Sequence, residues 1–424
     1  MACTELDGNV GDVQGDWSLP KRILFRFVFV YLAVYGLCGG NMTLGEDVWG
    51  ALLPRVSRWV FGLELPANQL SGSGDQLSRY MQVFCILAFA AASALLWTAV
   101  DRRSRGHERL HEWLRVYLRY LLAVWMIFYG AAKVIPSQFP APSASRLVQP
   151  FGAASPMGLL WTFMGASPAY TMFTGAAEML CGALLTARRT TLLGALLAMG
   201  VMSNVVMLNL CYDVPVKLFS VHLLLMACVL VAPDLARLVN LFVLDRPVKP
   251  ADLRPRFQRR WVEYGALALR NIFFGLVAYG ALLSSCAGLS SGDRPPPDAV
   301  RGLWAVQSPE SVDAASGHPS PSTQGWRRLV IQDAQFLELL LEDDRQEFYL
   351  MSVDERTRTL TLSVSREPRP RGTLSYSVPG PDALALDGTF NGWTLHARLR
   401  RIDEKSFPLV NRGFHWVNAF PFNR

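Results

Sequence analysis

Charge is scarce in this chain of 424 residues: only 18% are Asp, Glu, Lys or Arg. A soluble domain carries roughly 25%, and here 51% of residues are hydrophobic, so the chain is too apolar to be soluble throughout. Cysteine is scarce as well. Seven in 424 residues exclude a disulfide scaffold, and none follows Cys286. No C-x-x-C pair, phosphate loop, dinucleotide-type glycine motif or nucleic-acid module is present. What remains is the composition of a membrane protein with a soluble appendage.

Long apolar runs are what the chain has. Seven are long enough to span, given that roughly 20 residues cross a core of about 30 Å. They lie at 21–38, 80–100, 114–135, 168–187, 190–210, 216–232 and 264–284. Arginine and lysine concentrate in alternate connections: Arg102, Arg103, Arg105 and Arg109; then Arg188 and Arg189; then a set from Arg237 to Arg260. The other connections are poorer in both. The positive-inside rule then predicts a cytoplasmic N-terminus and a C-terminus outside. The first run reads as an uncleaved signal anchor, since residues 1–20 are acidic and polar and no small-residue cleavage site follows. The expected location is a bacterial inner membrane, with the tail in the periplasm.

The expected organisation is a cytoplasmic segment 1–20, a transmembrane helical domain 21–286, a linker 287–300 and an extracytoplasmic domain 301–424. Residues 291–424 hold 16 Lys/Arg and 17 Asp/Glu, so the net charge of +7 resides in the membrane half. That excess follows from topology and contact with membrane lipids rather than from nucleic acid. In the tail the hydrophobic period changes to two. Candidate strands are Gly302–Ser308, Trp326–Gln332, Phe336–Leu341, Glu347–Val353, Arg358–Val364, Thr373–Val378, Ala383–Leu386, Trp393–Arg401 and Arg412–Val417. Turn signals separate them, among them Asp387-Gly388 and Asn391-Gly392. Eight or nine short strands predict an antiparallel barrel or sandwich. Gln307–Gln324 reads as a disordered loop or a lid. The fold class is thus an α-helical transmembrane bundle of about seven spans followed by a β barrel or sandwich.

Ionisable groups inside a membrane are costly, so each is a functional candidate. Glu178 lies ten residues into a helix beginning near Pro168, about 15 Å down at 1.5 Å per residue. Asn204 and His222 lie at intermediate depth on the next two helices. Asn209, Asp213, Lys217 and Lys133 sit nearer the outer edge. Together they sketch a polar pocket open to the side of the β domain. Tyr170, Thr174 and Glu178 share one helical face by their spacing of four, as do Trp125, Tyr129 and Lys133. Each has a plainer reading. Asp213 before Pro215 suits a helix N-cap. Lys133 and Lys217 suit snorkelling. Glu178 suits a packing pair with Arg270, and His222 a hydrogen-bonded core histidine. In the pocket reading Glu178 and His222 handle protons, and Tyr129, Lys133, Asn204, Asn209, Asp213 and Lys217 bind a lipophile.

His107-Glu108-Arg109-Leu110-His111 has the H-E-x-x-H spacing of a zinc site. It lies in an Arg-rich segment with no third ligand evident, and a solvated charged helix start suits it better. No metal is expected. Cys38, Cys211 and Cys286 are the candidates for pairing at the outer face.

Two resemblances follow from these residues. Gly302-Leu303-Trp304, with the basic, aromatic end at Arg412, Trp416 and Arg424, resembles the lipocalin-type barrel. There an early Trp stacks on a late Arg and closes the barrel base. Tyr129-Gly-Ala-Ala-Lys133, then Gly175-Ala-Ala-Glu178-Met-Leu-Cys-Gly182, then Arg188-Arg189, resembles the DoxX family of small membrane proteins over residues 110–235. The DoxX resemblance implies that Lys133 and Glu178 line a polar core. It also implies a link to membrane redox systems, with quinone or another lipophile as cofactor and a redox partner subunit. DoxX proteins commonly have four spans, whereas this chain adds three and an outer β domain. The rival expectation is a non-enzymatic anchor or assembly protein that presents the barrel.

Overall fold

The computed structural model describes residues 17–39, 46–65, 74–104, 106–248, 259–290, 295–312, 325–364, 370–413 and 415–417. The helices are α1 (Leu19–Cys38), α2 (Glu46–Val56), α3 (Leu77–Val100), α4 (Glu108–Val134), α5 (Ala144–Val148), α6 (Pro156–Ala166), α7 (Pro168–Thr186), α8 (Thr191–Cys211), α9 (Lys217–Val231), α10 (Leu235–Phe242), α11 (Arg260–Ser290) and α12 (Pro408–Asn411). The strands are β1 (Gly302–Val312), β2 (Trp326–Ile331), β3 (Phe336–Leu341), β4 (Gln346–Asp354), β5 (Thr359–Ser363), β6 (Pro370–Gly380), β7 (Ala383–Phe390) and β8 (Trp393–Ile402).

Each of the seven expected apolar stretches is a helix: α1, α3, α4, α7, α8, α9 and α11. Among the described residues, five helical stretches are long and apolar enough to cross a membrane: Leu77–Val100, Glu108–Val134, Arg188–Cys211, Lys217–Phe242 and Trp261–Gly288. The remaining two are more polar. α1 carries Lys21, Arg22 and Arg26, and α7 is largely Ala, Gly and Thr around Glu178. The short helices α2, α5, α6 and α10 were not expected, because a few turns broken by Pro or Gly leave no sustained period.

The chain divides into two compact units. One comprises residues 1–132 and 174–282, and the other 133–173 and 283–424. In the helical unit a core of Leu32, Tyr35, Ile86, Leu118, Leu122, Met126, Leu185 and Met226 is almost fully buried. Large apolar side chains point outward on α3 (Phe89, Leu95, Leu96) and α11 (Leu269, Ile272, Leu276). Contiguous exposed apolar surface of this kind suits lipid rather than water.

The second unit holds a closed barrel in which β1 to β8 follow in order, each antiparallel to the next, with β8 paired to β1. Alternate residues such as Leu337, Leu339, Leu360, Leu362, Leu386 and Leu399 fill the interior. Eight strands give an interior just wide enough for side chains to fill. Trp304 is fully buried and donates from Nε1 to the Val300 carbonyl at 2.9 Å. The Arg401 guanidinium lies 4.6 Å from its ring centroid. The stacking cation is therefore Arg401 on β8, where Arg412 or Arg424 was expected; Arg424 lies outside the described residues. Arg412–Val417 is not a ninth strand, since Pro408 starts the short helix α12 and its described residues are irregular. β1 runs on to Val312, so the expected loop is strand in its first part; residues 313–324 lie outside the described residues.

The two turn signals part company. Asn391 and Gly392 have φ of 51° and 85° and make the tight β7–β8 turn. Asp387-Gly388 stays inside β7, paired with β6 and β8. A Cβ on Gly388, at φ 155°, would lie 2.2 Å from the Thr373 carbonyl oxygen, so the glycine permits close approach of two strands.

Outside the barrel, Leu303, Val330 and Leu340 form a second apolar cluster with Ala144 and Val148 of α5. Ser143 caps α5, accepting from the Arg146 amide at 3.4 Å. The Ala144 amide donates to Gln332 Oε1 at 3.0 Å. The connection between α4 and α7 thus clasps the barrel wall.

Candidate functional site

His222 is the centre of the polar groups in the helical unit. It is 5% exposed. Its Nδ1 lies 2.6 Å from the Leu218 carbonyl, and its Nε2 2.6 Å from Tyr31 Oη. A carbonyl only accepts, so Nδ1 carries the proton and Nε2 accepts from the Tyr31 hydroxyl. The Tyr35 ring stacks on the imidazole at 3.8 Å and 9°. Tyr31 and Tyr35 are four apart on α1, which places both against α9. For His222 to take up a proton at Nε2, Tyr31 must turn its hydroxyl and accept instead.

Around this centre the polar groups satisfy one another. Asn209 Nδ2 donates to Ser220 Oγ at 3.0 Å, joining α8 to α9. The Lys217 and Leu218 amides donate to the two carboxylate oxygens of Asp75 at 2.8 and 2.9 Å. Asp75 therefore caps α9 from another segment. Asp213, expected as that cap, adopts φ 52° and instead accepts from Lys217 Nζ at 2.7 Å. With its backbone in the left-handed region, Asp213 ends one turn rather than starting the next helix. Lys217 does not simply snorkel, because Asp213 and Asp75 both pair with it.

Asn204 does not join the cluster. The buried face of α8 runs Gly194, Ala195, Ala198, Met202, Val206 and Asn209. Asn204 falls two residues past Met202, on the opposite, exposed side. Equal depth had suggested a shared pocket, but depth does not fix rotation about the helix axis.

Glu178 is 3% exposed on α7. Its buried face is Thr171, Gly175, Glu178 and Gly182, while Tyr170 of the expected face is 42% exposed. Arg270, expected as a partner of Glu178, donates to Asn271 Oδ1 at 3.2 and 2.9 Å. On α4, Trp125 and Tyr129 pack their rings on Phe219 at 5.0 and 6.0 Å. Lys133 is buried and belongs to the second unit. Glycines allow α4 and α7 to meet: a Cβ on Gly130 would lie 2.7 Å from the Gly175 carbonyl oxygen. A cavity of about 10 Å³, room for about one water, is lined by Tyr35, Gly74, Arg79, Gln82, Val83, Leu218 and Phe219.

No family model and no solved structure matches the chain. The uncharacterised protein YwoB of Bacillus subtilis (strain 168) is 34% identical over 145 residues, which are 34% of this chain and 91% of YwoB. The chain belongs to the family of YwoB. YwoB is itself uncharacterised, so membership in the YwoB family carries no activity with it.

Sequence reasoning missed a second cluster in this member of the YwoB family. Arg26, 1% exposed, donates from Nε to His107 Nε2 at 3.0 Å and from Nη1 to Thr98 Oγ1 at 2.9 Å. Its Nη2 reaches the Asp101 carbonyl and carboxylate at 3.1 and 3.0 Å. The available signal was Arg26, a charge one turn past Lys21 and Arg22 and inside the apolar run. His107 is buried rather than solvated, and its Nε2 lone pair is taken by Arg26, so the H-E-x-x-H face offers no second free imidazole. Among the described residues no group of three His, Cys, Asp or Glu is placed to hold a metal. The six described cysteines, Cys38, Cys211 and Cys286 included, are free thiols.

Proposed function

We propose that the chain is a DoxX-like integral membrane protein whose helical core anchors and presents the eight-stranded barrel on the extracytoplasmic face. The observation that carries this reading is the α5 clasp. Ala144 and Val148 sit among Leu303, Val330 and Leu340 of the barrel wall, on a connection tied covalently to α4 and α7. That connection and the tail after α11 belong to one compact unit. The positive-inside reading puts the connection after α4 and the tail after α11 on the same, outer side, which is consistent with their sharing one unit. The barrel interior is filled by Leu, Tyr, Trp and Phe side chains, which favours a role for its outer surface over carriage of a ligand inside. In a bacterium that face is periplasmic.

The test is cleavage of a protease site placed in the linker 287–300 of the full-length protein in membranes. The barrel fragment is expected to stay with the membrane through α5, and to wash off in Val148→Asp. Release of the wild-type fragment at the same rate overturns the reading.

A second reading is a lipophile- or quinone-binding component of a membrane redox system. It is favoured by Glu178, a buried carboxyl at the centre of α7, together with the DoxX resemblance. Glu178 and His222 would then handle protons beside a polar head group, and electron transfer would need the quinone, a haem or a redox partner subunit. Mass spectrometry of lipophiles co-purifying with wild type and Glu178→Gln decides it. A stoichiometric quinone lost in a folded variant supports this reading, and absence of any lipophile above background from both removes it.

A further inference from the structure

α2 continues directly into a π-helical turn, Ser57–Phe61. One side is buried: Leu53 is 3% exposed and Ser57 fully covered, four residues apart. Ser57 Oγ donates to the Leu63 carbonyl at 2.9 Å, and Gly62 ends the turn at φ 66°. The rest of the segment is uncovered: Trp59 is 94% exposed, and Val48, Val60, Phe61 and Leu63 are exposed as well, together with Arg55 and Arg58. In water this surface would be unfavourable by roughly 25 cal/mol per Å².

The position of Phe61 supplies the missing surroundings. Its ring meets Phe84 edge-on at 5.1 Å. Phe84 is seven residues past the first residue of α3, about 10 Å along a helix able to cross a membrane. Phe84 is itself 40% exposed, on the apolar flank of α3. A segment that packs there lies below the level at which α3 leaves the bilayer. It is too short and too charged to span, so it must lie in the plane of the interface. Tryptophan is the residue enriched at that depth. Arg55 and Arg58 are both exposed and border an open, shallow apolar surface formed with Val56, Trp59 and Val60. Two guanidinium groups three residues apart beside an open apolar surface suit a phosphate with an attached hydrocarbon chain.

We propose that α2 and its π-helical turn are an in-plane membrane segment, and that Arg55 and Arg58 hold the phosphate of an anionic phospholipid whose acyl chain lies along Trp59 and Val60. The proposal rests on the membrane reading of α3 and is independent of what the barrel does.

The experiment uses full-length protein in phosphatidylcholine vesicles containing phosphatidylglycerol. Trp59 emission is the difference between wild type and Trp59→Phe. That difference is expected to be quenched by phospholipid brominated near the glycerol end of the acyl chain and shielded from aqueous iodide. Quenching by iodide and not by brominated lipid overturns the in-plane placement. The other eleven of the twelve tryptophans, seen in Trp59→Phe, report by the same lipid quenching whether the protein is inserted at all. Native mass spectrometry tests the clamp. Wild type is expected to retain phosphatidylglycerol over phosphatidylcholine, and the preference is expected to fall about fivefold for each of Arg55→Gln and Arg58→Gln. An unchanged preference in the double variant overturns the clamp.

Discussion

Arg26 and Glu338 are both buried, and their surroundings treat them differently. Arg26 has a partner for each of its three nitrogens, which is what makes a buried guanidinium tolerable. Its partner His107 lies outside the membrane-crossing segments. Burial, and then the Arg26 charge, hold the His107 pKa below the ordinary histidine value. A depressed histidine favours the neutral folded form. The stability it brings is complete above the unfolded value of about 6.5 and is lost as pH falls below it. Acidification through that range is expected to lower the thermal midpoint of wild type more than that of His107→Gln, read by a melt in detergent. Glu338 is the reverse case. Burial raises its pKa, against the Ser145 hydrogen bond and the Arg146 charge, and its Oε1 has no hydrogen-bond partner. The penalty on its carboxylate is present above the folded pKa and disappears as pH falls towards the unfolded value near 4.3. Glu338→Gln is therefore expected to stabilise the barrel at pH 8, by about 1 kcal/mol, and to change nothing at pH 4. A destabilised variant at pH 8, seen by differential scanning calorimetry, would contradict this. Neither environment was legible beforehand. Arg26 and His107 lie 81 residues apart, and no spacing rule joins them.

At the scale of elements, glycine positions decide how closely helices and strands meet. A Cβ on Gly130 would lie 2.7 Å from the Gly175 carbonyl oxygen and 2.8 Å from the Met179 amide nitrogen. Backbone atoms cannot turn aside as a side chain can. Gly130→Ala is expected to cost about 1–3 kcal/mol despite the better helix propensity of alanine. Gly200 on α8 has nothing within 4 Å of its Cβ position. Gly200→Ala should gain up to about 1 kcal/mol. Thermal midpoints of the two variants in one detergent give the comparison, and equal shifts would reject close packing at Gly130. The helices themselves were readable from long apolar runs. Their rotation was not: Asn204 faces outward although its depth equals that of buried neighbours. A row of small and apolar residues on every side of α8 leaves no polar stripe to set a direction. The strands were readable from alternation, with Asp387-Gly388 misassigned because the same dipeptide serves a turn or a close strand approach.

For the whole molecule, topology is the property that connectivity constrains most. The barrel and the connection after α4 form one unit, so a label reaching one should reach the other. A membrane-impermeant maleimide added to intact cells is expected to modify Thr357→Cys, in the exposed β4–β5 turn, in a background freed of native cysteines. Arg103→Cys, between α3 and α4, should react only after permeabilisation. The opposite pattern would invert the topology.

Hydrophobic run length and strand alternation are local quantities, and they determined seven helices, eight strands and the site of the change from one to the other. Burial needs only a period, and a period is written along the chain. Which distant residues meet was decided by the tertiary structure. His222 with Tyr31, Lys217 with Asp75, Trp304 with Arg401 and α5 with the barrel wall each join residues about 100 or more apart. A hydrogen bond or a ring contact depends on distance and direction in space, and neither quantity has a period to read.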